Sequence, residues 1–175
     1  MTEKMEATFQ VNPYNDPILV KIVGRACFSN SAPLKSFFRQ MVGQGKRHFI
    51  VDFDRCSSMD STFLGILAGT AMELRRAQPQ GRLILARLGS RNLELVRNLG
   101  LHRILVVDDG VETLSMEEAG EALQGEAAAE RSEVENARLV LQAHEDLVQV
   151  DESNRTKFQD VISFLRNQID DAPSA

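Results

Sequence analysis

Apolar and polar residues alternate at the start of this 175-residue chain, and the period then lengthens. Ala7, Phe9 and Val11 share one face of a period-two stretch, and residues 18–23 alternate in the same way. Between them Asn12-Pro13-Tyr14-Asn15-Asp16-Pro17 is dense in turn formers, so the pattern predicts a β-hairpin. Gly24 ends its second strand. Ser31 stands as the cap of a helix reaching about Val42, with Pro33 in the first turn, where proline is tolerated. Leu34, Phe37, Phe38 and Met41 recur at three and four residues, a core-facing stripe, and Gly43-Gln44-Gly45 stops the helix. Residues 48–53 have few alternating polar residues, as in a central strand covered on both faces. A helix over about 62–76 follows, then a strand over 83–87. A short helix capped by Ser90 ends at Gly100, and a strand over 104–107 follows. Strands alternating with helices of this length predict right-handed βαβ units. The fold class is α/β, with a mostly parallel four- to five-stranded sheet behind the N-terminal hairpin.

Beyond Asp108-Asp109-Gly110 the pattern becomes helical only. One segment is predicted over 111–124. A second runs from Ala127-Ala128-Ala129 to Val148, with Val134, Ala137, Leu141 and Val148 on one stripe. A third begins near Ser153 and carries Phe158, Val161, Ile162, Leu165 and Ile169. Short isolated helices are marginal in water, so the last two stripes need a partner. A helical hairpin, docking on the front domain, or a homo-oligomer through the C-terminal helices would each supply one.

Charge separates the same two regions. Residues 1–111 carry 15 Lys/Arg against 10 Asp/Glu, and residues 112–175 carry 5 against 15, which together give the net −5. Such a break marks a change of structural role. Neither part has a dense basic run with interleaved aromatics, so no nucleic-acid partner is expected. No apolar run approaches the ~20 residues that span a bilayer, so no membrane insertion is expected. The N-terminal residues lack the apolar stretch of a signal peptide. Cys27 and Cys56 show neither CxxC spacing nor clustered histidines, and read as reduced thiols of a cytoplasmic protein.

The densest motif is His48 to Gly69, where the apolar strand ends in a polar turn and leads through Met59-Asp60-Ser61-Thr62 into Phe63-Leu64-Gly65-Ile66-Leu67-Ala68-Gly69. A hydroxyl at a helix N-cap uses its oxygen to satisfy orphan backbone N–H groups. The same place suits a phosphate, because free N–H groups and the positive dipole end both favour an anion. Gly65 and Gly69 share the helix face of Ser61, which either admits a partner's backbone or packs the helix on its own sheet. Phe63 is a docking anchor if exposed and ordinary core if buried.

This segment resembles the signature of STAS domains, typified by bacterial anti-sigma factor antagonists. Val23-Gly24-Arg25 through Asn30-Ser31-Ala32-Pro33-Leu34 resembles the family's glycine turn and first-helix entry. Gly81-Arg82-Leu83-Ile84-Leu85 resembles its next strand, and Val96-Arg97-Asn98-Leu99-Gly100-Leu101 with Ile104-Leu105-Val106-Val107 its helix exit and last strand. The resemblance covers roughly residues 7–115, and divides the chain into a STAS-like domain, 1–115, and an acidic helical extension, 116–175.

The resemblance implies partner switching without catalysis. Ser61 falls on the serine that such antagonists use as phosphoacceptor, with Thr62 as its backup. A partner-binding surface of Asp60, Ser61, Thr62, Phe63, Gly65, Gly69, Cys27 and Phe28 would meet a serine-kinase anti-sigma factor, and a phosphatase would reset it. Cys27 departs from the acidic residue common at its position. Asp52 and Asp54 are expected at a solvated strand end. Two other functions stay open: a scaffold or transporter-associated STAS module not controlled by phosphorylation, and a small-ligand or nucleotide-sensing module.

Ile104 to Gly110 also reads like the opening strand and acidic pair of a receiver domain, but that domain needs ~120 further residues. Only 65 remain, without the required strand pattern. No G-x-S-x-G elbow or phosphate loop appears, and His48, His102 and His144 are scattered, each expected to be an ordinary surface or partly buried residue. No metal, haem or nucleotide cofactor is expected.

Overall fold

A computed structural model describes residues 8–108, 120–123 and 130–173. The sheet contains β1 (Phe9–Asn12), β2 (Ile18–Ala26), β3 (His48–Met59), β4 (Arg82–Ala86), β5 (Val106–Val107) and β6 (Glu121–Ala122). Their order is β5-β4-β3-β2-β1-β6. The four strands from β2 to β5 are parallel, whereas β1 pairs antiparallel with β2 and with β6. The predicted hairpin and mostly parallel sheet are therefore present, with one strand more than the expected four to five. That strand corrects part of the helix predicted over 111–124. Glu121 and Ala122 lie opposite Val11 and Gln10, and two residues are too few to show a period. Residues 111–119 and 124 of that prediction lie outside the described residues.

Among the described residues the α-helices are α1 (Ala32–Gly43), α2 (Ser61–Arg76), α3 (Ser90–Asn98), α4 (Glu133–Val150) and α5 (Asn154–Asp170). The α1 stripe of Leu34, Phe37, Phe38 and Met41 is buried as its spacing predicts. Ser31 does not cap α1 with its side chain. Its hydroxyl instead donates to the carbonyl of Cys27 at 2.5 Å. β3 is longer than its apolar run suggests, because its polar second half continues pairing with β2 as far as Ala26 opposite Met59.

α2 is the layer that organises the rest. Every residue from Thr62 to Ala68 is buried, the signature of a helix covered on opposite sides. The sheet lies on one side, where Phe63 stacks on Phe9 and meets Phe53 edge-on. α4 lies on another, close to Gly65 and Gly69, and α5 packs back on α4. The predicted helical hairpin therefore docks on the front domain. Leu139 and Leu147 of α4 join the main core, each worth ~1.5–3 kcal/mol when fully buried. Val161, assigned to the α5 stripe from its spacing, is exposed, as is Phe164.

Candidate functional site

Parallel pairing sets the site's position. β2 and β3 end at the same edge of the sheet, so the loop after β2 and the start of α2 become neighbours at the carboxyl ends of the strands, the usual place for sites in open α/β sheets. Asp60 joins them. Its Oδ1 accepts from the N–H of Phe63 at 2.9 Å and its Oδ2 from the N–H of Phe28 at 2.7 Å. The helix cap is thus the carboxylate of Asp60, with extended backbone at φ −110° and ψ 175°, and not the Ser61 hydroxyl. The Cys27–Ser31 loop is held in turn by Asn30, which accepts from the Cys27 N–H at 3.0 Å and donates to the Arg25 carbonyl at 2.8 Å.

Relieved of capping, Ser61 is the first residue of α2, and its Oγ lies 2.8 Å from Nε2 of His144. Nδ1 of the same ring is 2.6 Å from the carbonyl oxygen of Val140. A carbonyl oxygen only accepts, so Nδ1 carries the proton. In the neutral ring Nε2 is then an acceptor, and the Ser61 O–H donates to it. His144 is 4% exposed and stands edge-on to Phe158, with ring centroids 4.9 Å apart. Ser61 itself is half-buried. It borders a cleft of about 430 Å³ lined also by Met59, Leu64, Leu95, Leu99, Lys157 and Phe158.

The two glycines admit α4. A Cβ on residue 65 would sit 2.2 Å from the carbonyl oxygen of Ala143, and one on residue 69 would sit 2.5 Å from Oδ2 of Asp146. Asp146 and Lys35 face each other at this contact. Desolvation by burial pushes the Asp146 carboxyl up, against the lowering effects of the Gln142 hydrogen bond and the Lys35 charge. Desolvation also pulls the Lys35 ammonium down, opposed by Asp146 and assisted by Arg39 and Arg131. Each group is thus displaced toward its neutral form. At the turn between α4 and α5, Asn154 is fully buried and its Nδ2 donates to the carbonyls of Leu99 (3.0 Å) and Leu147 (2.8 Å). Lys157 Nζ donates to the Asn98 carbonyl at 2.8 Å.

Asp60, Ser61, Cys27 and Phe28 therefore gather at one edge, with the Phe28 side chain exposed. Thr62 and Phe63 do not join them. Thr62 is 4% exposed and Phe63 fully buried, so the backup acceptor lies inside and the aromatic is core, not an anchor. Asp52 also departs from expectation: it is fully buried and paired through Oδ1 to Arg87 Nε at 2.9 Å, whereas Asp54 is exposed. The sequence reading missed His144, Asp146 and Lys35. For His144 a signal existed, since Ala137, His144 and Val148 follow at seven and four residues and share a helical face.

A model of the STAS domain matches residues 8–114, more than half the chain. This chain belongs to the STAS domain family. No curated protein matches it. Among solved structures, it resembles a putative anti-sigma factor antagonist from Thermotoga maritima at 18% identity and TM-score 0.51, over 63% of this chain and 93% of that one. An anti-sigma factor antagonist from Mycobacterium paratuberculosis aligns with the same identity and TM-score, over 63% and 92%. At such identity these structures establish the shared STAS fold. Among the described residues no group of three or more His, Cys, Asp or Glu side chains is arranged to hold a metal ion, and no helix is long and apolar enough to cross a membrane.

Proposed function

We propose that this STAS protein is a partner-switching regulator of the anti-sigma factor antagonist type, acting in the cytoplasm by binding and not by catalysis. Unphosphorylated, the edge formed by Asp60, Ser61, Phe28 and the α2 face at Gly65 and Gly69 docks a serine-kinase anti-sigma factor. The kinase phosphorylates Ser61, the complex separates, and a phosphatase resets it. The observation that carries this reading is the division of labour at the start of α2: Asp60 caps the helix, so the Ser61 hydroxyl is not needed for the cap and meets only His144 of α4. A phosphate there adds about −1.5 to −2 charges beside the Asp60 carboxylate. It alters the contact surface without removing the cap.

The reading is tested by calorimetry of wild type, Ser61→Ala and Ser61→Asp against the host's serine-kinase anti-sigma factors. The alanine variant is expected to bind constitutively and the aspartate variant to bind more weakly. Equal affinity across the three would sink the switch. The docking of α4 over this face favours one second reading, a scaffold whose α2 is permanently covered, for which none of the three variants binds such a kinase.

A further inference from the structure

The face assigned to the partner already has an occupant within the chain. α4 lies so close along α2 that even a Cβ at residue 65 would overlap the backbone of Ala143, and Nε2 of His144 is hydrogen-bonded to the hydroxyl of Ser61 that would take the phosphate. We infer that the α4–α5 hairpin is an intramolecular competitor for the docking face of α2. A protein partner reaches Ser61, Gly65 and Gly69 only when the hairpin lifts, and the Ser61–His144 hydrogen bond is its latch. The inference rests on the partner-switching reading and adds a layer of regulation that this reading does not require.

Three independent observations carry it. The first is steric: a partner's backbone cannot enter the space that the Ala143 carbonyl occupies 2.2 Å from the Cβ position of residue 65. The second is chemical. The Ser61 O–H is spent on His144, a residue 83 positions away on the extension, so the state of the switch residue and the seating of the hairpin are one hydrogen bond. The third is energetic. The side of α2 that meets the sheet is sealed by aromatic and aliphatic side chains, Phe63 among them. The side that meets α4 holds the half-buried Asp146 and Lys35 beside Gly69, and desolvation displaces both toward their neutral forms. A contact that desolvates charge opens before an all-apolar core does. Among the described residues α4 places Leu139 and Leu147 in the main core, with Val150 partly buried against it. The hairpin is therefore the part of the fold that can leave while the sheet stays intact.

The test uses the full chain carrying Gly69→Cys and Asp146→Cys. A Cβ on residue 69 would lie 4.0 Å from the Cβ of Asp146, a separation that a disulfide spans. Oxidation therefore locks the hairpin down and dithiothreitol frees it, with wild type under the same oxidant as the control for Cys27 and Cys56. Two readouts are taken. In hydrogen exchange, oxidation is expected to slow the amides of 133–150 at least tenfold while those of β3 and β4 stay unchanged. In binding and phosphorylation with the host's purified serine-kinase anti-sigma factors, the oxidised form is expected to be at least tenfold poorer than the reduced form. Ser61→Ala, which removes the latch and no packing, should speed α4 exchange about fivefold, the equivalent of one hydrogen bond worth about 1 kcal/mol. Exchange at α4 that the lock leaves unchanged, or affinity equal in the two redox forms, overturns the competitor. If the lock slows exchange but no kinase binds either form or wild type, the partner-switching reading falls, while the separable hairpin stands.

Discussion

Replacing Gly65 by alanine pits helix propensity against packing, and the structure decides which effect wins. Inside a helix, Gly→Ala is ordinarily stabilising by about 0.5–1 kcal/mol. Here the new methyl would lie 2.2 Å from the Ala143 oxygen, 2.5 Å from its carbonyl carbon and 2.6 Å from its Cβ. Two of the three are backbone atoms, so no side-chain rotation relieves the contact and α4 must withdraw by more than 1 Å. Overpacking of this kind costs about 1–3 kcal/mol. Withdrawal also breaks the 2.8 Å contact between Ser61 and His144, a further loss of about 1 kcal/mol. The net expectation is destabilisation by about 1–3 kcal/mol, seen as a melting temperature several degrees lower. Gly43→Ala is the control, since a Cβ there meets nothing within 4 Å and the substitution should be neutral or stabilising. Circular dichroism melts of both variants check the pair. A Gly65→Ala protein at least as stable as wild type would refute the close seating of α4 on α2.

Asp60→Ala removes the acceptor for the Phe63 and Phe28 N–H groups together. It is expected to cost about 1–2 kcal/mol in urea unfolding, and Asp60→Asn, which keeps a cap oxygen, should recover part of that. The pH dependence of the α4 contact follows from Asp146. Its folded-state carboxyl is raised by desolvation, so the folded protein holds the proton more tightly than the unfolded chain, and the contact weakens as pH rises. The penalty is absent below the unfolded value of about 4 and complete above the raised folded value. Asp146→Asn is expected to stabilise the protein at pH 7 and to flatten the melting temperature across that window; an unchanged slope would count against the assignment.

The sheet and α1 were legible because their signals are local. Period two marks β1 and β2, and the stripe from Leu34 to Met41 needs only the geometry of one helix. The start of α2 was legible too, although the cap passed from the hydroxyl to the carboxylate beside it, since Asp60 occupies the N-cap position and Ser61 is already the first helical residue. Other features depended on distant partners. Asp52 looked like a solvated strand end because its guanidinium partner, Arg87, follows 35 residues later. His144 looked incidental because nothing near it in the chain announces Ser61. The run from Thr62 to Ala68 held a readable hint that went unused, for a helix apolar on every side needs a second cover beyond its sheet. That cover is α4, and it explains why Gly65 and Gly69 are small, whereas Phe63 is core because it faces the sheet at Phe9 and Phe53.

Mass spectrometry of the full-length protein, after incubation with ATP and each of the host's serine-kinase anti-sigma factors, bears most directly on the switch. A single added phosphate mapped to Ser61, and lost in Ser61→Ala, is the result predicted here. Phosphate on another residue with Ser61 unmodified, or a kinase that binds the protein yet leaves Ser61 untouched, would contradict it.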